Sequence, residues 1–415
     1  MKLRATLFIF VLHLAGLAAC QSDERTRGWN VDIDAYIAAV KRDHYVYRSE
    51  ALPASFQALV EQLRKKIPAY SDQRMLLELE HLAAQLGDGH TYILPWAAER
   101  VTSNVLPLRF YLFKDGLFVI DARESYEEYI GARVDRFGSV SAKEALVLLS
   151  DYISRDNEMG IPWIGPLFLR FQGAIETLGA SNGEKAMLEF TFPDGRSRKQ
   201  SFDFVPVERL RGVPKLVPSR ISKNPPPLYL SDVQRTYWTK ALPGNVMYVQ
   251  FNQVVNDPSE PLASFAHRLG DSLMARQPGH LVIDVRHNNG GDATLLGPLL
   301  EVLRGFRKRV PNGRLTFITG RNTFSACQIF ISLADAQCHP EFIGERSSSK
   351  PNFVGEEHEL VLPWSGARGS ISNRYHESIP GDKRQWIEVM NAVPLNSKAY
   401  FENRDPVLEK LGITN

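Results

Sequence analysis

Residues 280 to 292 read His-Leu-Val-Ile-Asp-Val-Arg-His-Asn-Asn-Gly-Gly-Asp. His280 to Val285, with Leu281-Val282-Ile283 apolar without alternation, has the pattern of a strand covered on both faces, as in parallel sheets. The run ends in Gly290-Gly291, and a helical pattern follows from Thr294 to Arg304. Glycines at such a junction let the backbone turn sharply and bring its N–H groups close to a ligand. The stretch lacks the Gly-Lys-Ser/Thr of a phosphate loop and the spacing of the dinucleotide fingerprint. A tight structural turn and a binding bend remain open.

The same alternation continues on both sides. Val246 to Phe251 reads as a strand, Leu262 to Ala275 as a helix, and Leu315 to Thr319 as a strand. Ser325 to Ala336 is a helix and Phe342-Ile343 another strand. Strand and helix in turn predict a parallel α/β core over residues 213–415. Asn224-Pro225-Pro226-Pro227 near its start marks a boundary or extended linker.

Upstream, residues 99–212 are β-rich. Leu108 to Phe113, Leu117 to Ile120 and Leu188 to Phe192 are short runs bounded by turn signals such as Lys114-Asp115-Gly116 and Pro193-Asp194-Gly195. Residues 29–98 carry three helical patterns, each with an apolar stripe: Val31 to Asp43, one starting near Ser55, and one containing Met75, Leu79, Leu82 and Leu86. They predict a small helical bundle, with Gly87 and Gly89 ending the third helix.

The first twenty residues stand apart. Lys2 and Arg4 precede a short apolar stretch, Leu7 to Leu17, which ends in Leu17-Ala18-Ala19-Cys20. This is the pattern of a secretory signal, residues 1–19, rather than of a membrane span. Leu-Ala-Ala-Cys resembles the bacterial lipobox, which implies lipid attachment at Cys20; the plain alternative is cleavage near Ala19 with Cys20 incidental. Gln21 in place of Asp favours the outer membrane, facing the periplasm. Residues 20–28 read as a polar tether.

Composition narrows the function further. With 49 basic and 47 acidic side chains, net charge +2, nothing argues for nucleic acid or an anionic surface as partner. Beyond Cys20 only Cys327 and Cys338 remain, too few for a disulfide framework and wrongly spaced for a metal site. Along a helix they would lie about 16 Å apart, beyond the roughly 7 Å that a bridge allows.

Ser325-Ala326-Cys327 opens a helix, where the positive end of the dipole favours an alkoxide or oxyanion. Serine there is also a common N-cap. The N–H of Ala326 and the Gly290-Gly291 turn are candidate oxyanion donors. Asp284-Val-Arg-His-Asn-Asn-Gly-Gly, Thr323-Phe-Ser-Ala and Ile343-Gly-Glu-Arg-Ser-Ser-Ser-Lys350 together resemble the tail-specific, or C-terminal-processing, serine peptidases.

That resemblance implies a crotonase/ClpP-like β-spiral core and peptide-bond hydrolysis through an acyl-serine on Ser325, with no metal or organic cofactor. Lys350, 25 positions after Ser325, falls where the family carries its catalytic lysine, and Asp405-Pro-Val-Leu408 looks like its closing motif. A lysine acts as base only when its amine is neutral, which burial brings about. Asp88-Gly-His-Thr91 resembles the motif of the tricorn-core-like branch, which implies His90 as a rival base. In that branch an acid near the C-terminal strand orients the histidine; Asp382 and Glu388 lie in that stretch. Taken alone, His90 is a surface turn residue and Lys350 a loop lysine. The middle segment, with Gly116-Leu-Phe-Val119 and Gly131-Ala-Arg-Val134, looks like a PDZ-type module; a structural β-domain is the alternative. A second function stays open: a protein that keeps the fold and binds peptides or apolar ligands without turnover.

Overall fold

The computed structural model describes residues 2–207 and 215–414, with side chains from residue 23 onward, so the expectation for Cys20 lies outside the described side chains. Helix α1 (Lys2–Asp43) buries Trp29, Ile33, Tyr36 and Val40, whose spacing of four and three makes one face. Residues 23–28, expected as a tether, are instead part of this helix. Arg25 and the Trp29 indole both donate to Asp72, and Arg25 also caps Ile67 and Tyr70 carbonyls. Their polar composition serves a specific contact, which a reading by composition misses.

Helices α2 (Ala54–Lys66) and α3 (Asp72–Ala84) complete the bundle. Ser71 caps α3 by accepting from the Arg74 N–H. α3 is buried almost all round: Met75, Leu76 and Leu79 face the bundle, whereas Leu77 joins the core of the middle layer. Strand β1 (Tyr92–Ile93) follows directly.

The middle layer is an antiparallel sheet in the order β2 (Leu108–Phe113), β3 (Gly116–Ala122), β4 (Arg133–Phe137), β5 (Lys185–Thr191), β6 (Ser197–Asp203). Helix α4 (Ala142–Leu148) starts with a full capping box between Ser141 and Glu144. Two helices absent from the sequence reading follow, α5 (Gly160–Phe168) and α6 (Gln172–Thr177). Their Gly and Pro content (Gly160, Gly165, Pro166, Gly173) hides the helical period.

The last third forms a mixed sheet of β7 (Tyr237–Leu242), β8 (Val246–Phe251), β9 (His280–Asp284), β10 (Arg314–Thr319) and β11 (Glu341–Gly344). The pair β7–β8 is antiparallel, and β8 through β11 are parallel. Helices α7 (Leu262–Arg276), α8 (Gly297–Arg309) and α9 (Ala326–Cys338) cover one face, packing Phe265, Leu299 and Phe330 against Val249, Ile283 and Phe317. Cys327 and Cys338 are both free and buried.

A hairpin, β12 (Asn352–Val361) and β13 (Arg368–Glu377), rises from this core. Its alternation of charged and small residues conceals it in the sequence. β13 pairs with β1, and Leu360, Leu362, Ala367 and Ile371 complete the core of the helical bundle. The Asp32 carboxylate accepts the N–H groups of Trp364 and Ser365 at 2.7 and 2.9 Å. Residues 29–98 therefore do not close a core of their own; the C-terminal third finishes it. A short strand, β14 (Asn391–Ala392), extends the parallel sheet beyond β11. Helix α10 (Pro406–Lys410) covers the second face of that sheet through Val407 and Leu408, against Tyr248, Val282 and Ile343.

Candidate active site

The Gly290-Gly291 bend lies between β9 and α8. Gly290 has φ +110°, and a Cβ there would lie 2.7 Å from the Ser325 Cβ. Gly291 has φ +135°, and a Cβ would meet the Val254 carbonyl oxygen at 2.1 Å. Only glycine permits both approaches. The bend is tied down by Val254, whose N–H donates to Gly290 and whose carbonyl accepts from Asp292.

Ser325 precedes α9 with φ +52° and ψ −127°, and its side chain makes no cap hydrogen bond. A non-glycine residue pays on the order of 1–3 kcal/mol to hold such a backbone. The N-cap role expected of a serine at this place is therefore not filled; the strained turn instead presents a half-buried hydroxyl above the Gly290-Gly291 bend.

The oxyanion candidates separate. The Gly290 N–H donates to Asn288 Oδ1 at 3.0 Å, so it is already engaged, contrary to expectation. Among the described residues the N–H groups of Gly291 and Ala326 donate no hydrogen bond, and both residues line the same cavity as Ser325.

That cavity, about 830 Å³, lies where bundle, middle layer, core and hairpin meet. Trp96, Trp163, Ile164 and Phe168 give it apolar walls, and Glu356, Glu357 and Arg374 give it a charged rim. His90 lines it from the bundle side and is 2% exposed. Its ring stacks on Phe324, the residue before Ser325, with centroids 4.4 Å apart, and on Phe353 of β12 at 5.2 Å. Both ring nitrogens are buried without a hydrogen-bond partner. Burial, with a smaller push from His376, brings the imidazole down to about 4, against the attraction of Asp88. At neutral pH His90 is thus uncharged and able to accept a proton.

The turn that carries His90 is built by two buried carboxylates. Asp88 Oδ1 accepts the N–H groups of His90 and Thr91 and the Ser372 hydroxyl, at 2.9, 2.7 and 2.6 Å. Its Oδ2 lies 2.9 Å from His44 Nε2. His44 Nδ1 accepts from the Val46 and Tyr47 N–H groups, which leaves Nε2 as the donor to Asp88. Burial alone would push the Asp88 carboxyl up, yet these hydrogen bonds hold it below its ordinary value. Asp156 accepts the Gly89 N–H at 2.8 Å. Gly89 itself is required by close packing, since a Cβ would come within 2.9 Å of the Phe324 ring. His90 is no surface turn residue.

Lys350 is half-buried and is not among the residues that line the cavity. Its charge instead stabilises the ionised Asp156. Asp382 is bound to Arg384, and Glu388 is exposed beside Trp386 and Arg346. Neither orients His90. Of the acidic groups that do hold its turn, Asp88 opens the Asp88-Gly-His-Thr91 motif but was given no role, and Asp156 was not singled out, because an isolated acid in a loop has no distinguishing spacing. Glu80 of α3 also lines the cavity; burial pushes its carboxyl up to about 8 although the Ile93 and Ser154 N–H groups donate to it.

The acids and arginine of the Asp284, Glu345 and Asp405 stretches have structural work. Arg286 reaches both Asp284 and Asp405, binding the end of β9 to the start of α10. Glu345 is paired with the buried Arg321. Among the described residues no cluster of His, Cys, Asp and Glu is arranged to hold a metal ion, and no helix is long and apolar enough to cross a membrane.

No family model matches this sequence, and no curated protein matches it either. Solved structures do. Mature CPAF complexed with lactacystin matches with a TM-score of 0.61 at 13% identity, covering 91% of this chain and 96% of that one. Mature CPAF alone matches with a TM-score of 0.59 at 12% identity, over 91% and 94%. Over nearly its whole length the chain therefore has the mixed α/β fold of CPAF.

Proposed function

We propose that this protein is a serine peptidase of the tail-specific type, closer to the tricorn-core-like branch, in which Ser325 is the nucleophile and His90 the general base. The observation that carries the reading is the strained Ser325 turn (φ +52°), which opens on one cavity together with a buried neutral imidazole and two undonated N–H groups.

In this mechanism the Ser325 hydroxyl attacks the substrate carbonyl while His90 takes its proton. The Gly291 and Ala326 N–H groups donate to the oxyanion that forms. His90 then gives the proton to the leaving amine, and water, activated in the same way, releases the acyl group. A neutral imidazole suits the first step. The route uses side chains and backbone only. We assign Lys350 no proton transfer, since it stands outside the cavity.

The parallel sheet with its helices supports reading the core as the crotonase-like β-spiral, and the antiparallel middle sheet with α4 fits a PDZ-like module. The lipobox-like Leu17-Ala18-Ala19-Cys20 supports an exported protein lipid-anchored at Cys20, on the outer membrane facing the periplasm, with exported proteins or peptides as substrates. A fluorophosphonate probe tests the central assignment. Labelling of the wild type that vanishes in Ser325→Ala supports the peptidase; no labelling of either protein favours a ligand-binding protein on the same fold.

A further inference from the structure

Asp156 lies between the middle layer and α5, remote in sequence from every motif noted above. It is 6% exposed. Its Oδ1 accepts the Gly89 N–H at 2.8 Å, and its Oδ2 accepts the Ser349 hydroxyl at 2.5 Å. Gly89 precedes His90, and Ser349 precedes Lys350. A single carboxylate thus joins the His90 turn to the loop that follows β11. That loop is itself bound to the Ser325 turn, since the Ser348 N–H donates to the Thr323 carbonyl. Asn157 extends the link by donating to the Ser347 carbonyl at 3.1 Å.

We propose that Asp156 is the positioning acid of the Ser325–His90 pair, fixing the two turns relative to each other. The proposal rests on the serine peptidase reading and deepens it. It gives a role to an acid from the middle layer where the resemblance pointed to the C-terminal strand.

The charge balance around Asp156 makes the device pH-sensitive. Burial raises its carboxyl to about 6, and Asp88 in the His90 turn pushes the same way. The Ser349 hydroxyl, the Gly89 N–H and Lys350 pull it down. Arg155 and Glu158 flank it on its own segment. Above pH 6 the ionised group accepts from both turns. As pH falls through about 6 it takes a proton, loses the attraction of Lys350, and holds the turns less firmly.

Two variants and two readouts test this. Hydrogen exchange, followed by mass spectrometry on peptides covering residues 86–92 and 345–351, reads the clamp without needing activity. The rate at which a fluorophosphonate labels Ser325 reads its consequence. Asp156→Ala should speed exchange in both segments and slow labelling about 100-fold, the scale expected for a misplaced catalytic group. Asp156→Asn keeps one acceptor and one donor but no charge. It should behave at pH 8 as the wild type does at pH 5, without the step near pH 6. A purely structural role would lower the melting temperature and leave that step in place. Unchanged exchange in both segments, or unchanged labelling in folded Asp156→Ala, overturns the proposal. Should Asp156→Ala not fold, the pH step in Asp156→Asn decides. If the wild type does not label at all, the peptidase reading fails, and the exchange data still decide whether the clamp exists.

Discussion

The His90 imidazole lies nearly parallel to the Phe324 ring, with centroids 4.4 Å apart and planes 19° apart. Because Phe324 precedes Ser325, a residue from the helical bundle is registered to the turn that carries the nucleophile, across more than half the chain. The stack explains both the position of His90 and its low pKa, since the ring faces that hold it also exclude water.

Opening that environment should restore ordinary histidine behaviour. Phe353→Ala removes the second stacked ring and admits water, so the His90 pKa should rise from about 4 toward its ordinary 6.5. The acid limb of the labelling rate should move up with it. NMR titration of the His90 ring in the wild type and the variant checks this directly.

Strain at Ser325 predicts a trade between stability and function. Ser325→Gly relieves a backbone that disfavours any side chain, and should stabilise the protein by about 1–2 kcal/mol while abolishing labelling. Ser325→Ala should abolish labelling equally with little change in stability. Thermal melts of the three proteins test the pair of expectations. A Ser325→Gly protein less stable than Ser325→Ala would argue against strain.

Glu80 gives a pH-dependent stability with a definite sign. Its folded carboxyl titrates at about 8, against an ordinary 4.5. Its contribution is therefore fully present below about pH 4.5 and is lost as pH rises through about 8. Glu80→Gln cannot ionise, so it should gain on the wild type as pH rises, reaching an advantage of several kcal/mol at pH 9 and little at pH 4. Urea unfolding at the two pH values measures it.

Arg286 predicts a structural defect. Removing it leaves Asp284 and Asp405 buried without their shared partner, so Arg286→Ala should cost about 3–5 kcal/mol. Arg286→Lys, which cannot span both carboxylates with a planar fork, should recover only part of this. Denaturant midpoints compare the two.

The strands and helices of the last third were legible because their chemistry is one-dimensional: a doubly buried strand such as His280 to Asp284 carries an unbroken apolar run, Leu281-Val282-Ile283, through its middle. Ser325 and the glycine bend were legible for a similar reason, as each needs its residue type at a fixed junction. Lys350 illustrates the opposite. Its spacing from Ser325 matched expectation, but spacing does not say which way a side chain turns, and Lys350 does not line the Ser325 cavity. The β12–β13 hairpin was hidden because its exposed face carries Glu356, Glu357 and Arg374 for the cavity rim. The same rim places charge where strand periodicity would call for an apolar residue. Gly290 failed as an oxyanion donor because its N–H already donates to the Asn288 side chain, a contact that no linear pattern records.

The most direct test of the account is the fluorophosphonate labelling rate of Ser325 at pH 8 in His90→Ala beside Lys350→Ala. If His90 is the base, labelling in His90→Ala should fall by about 100-fold or more, and Lys350→Ala should label within about tenfold of the wild type. Near-normal labelling in His90→Ala, with loss in Lys350→Ala, would contradict the account and return the proton to the lysine.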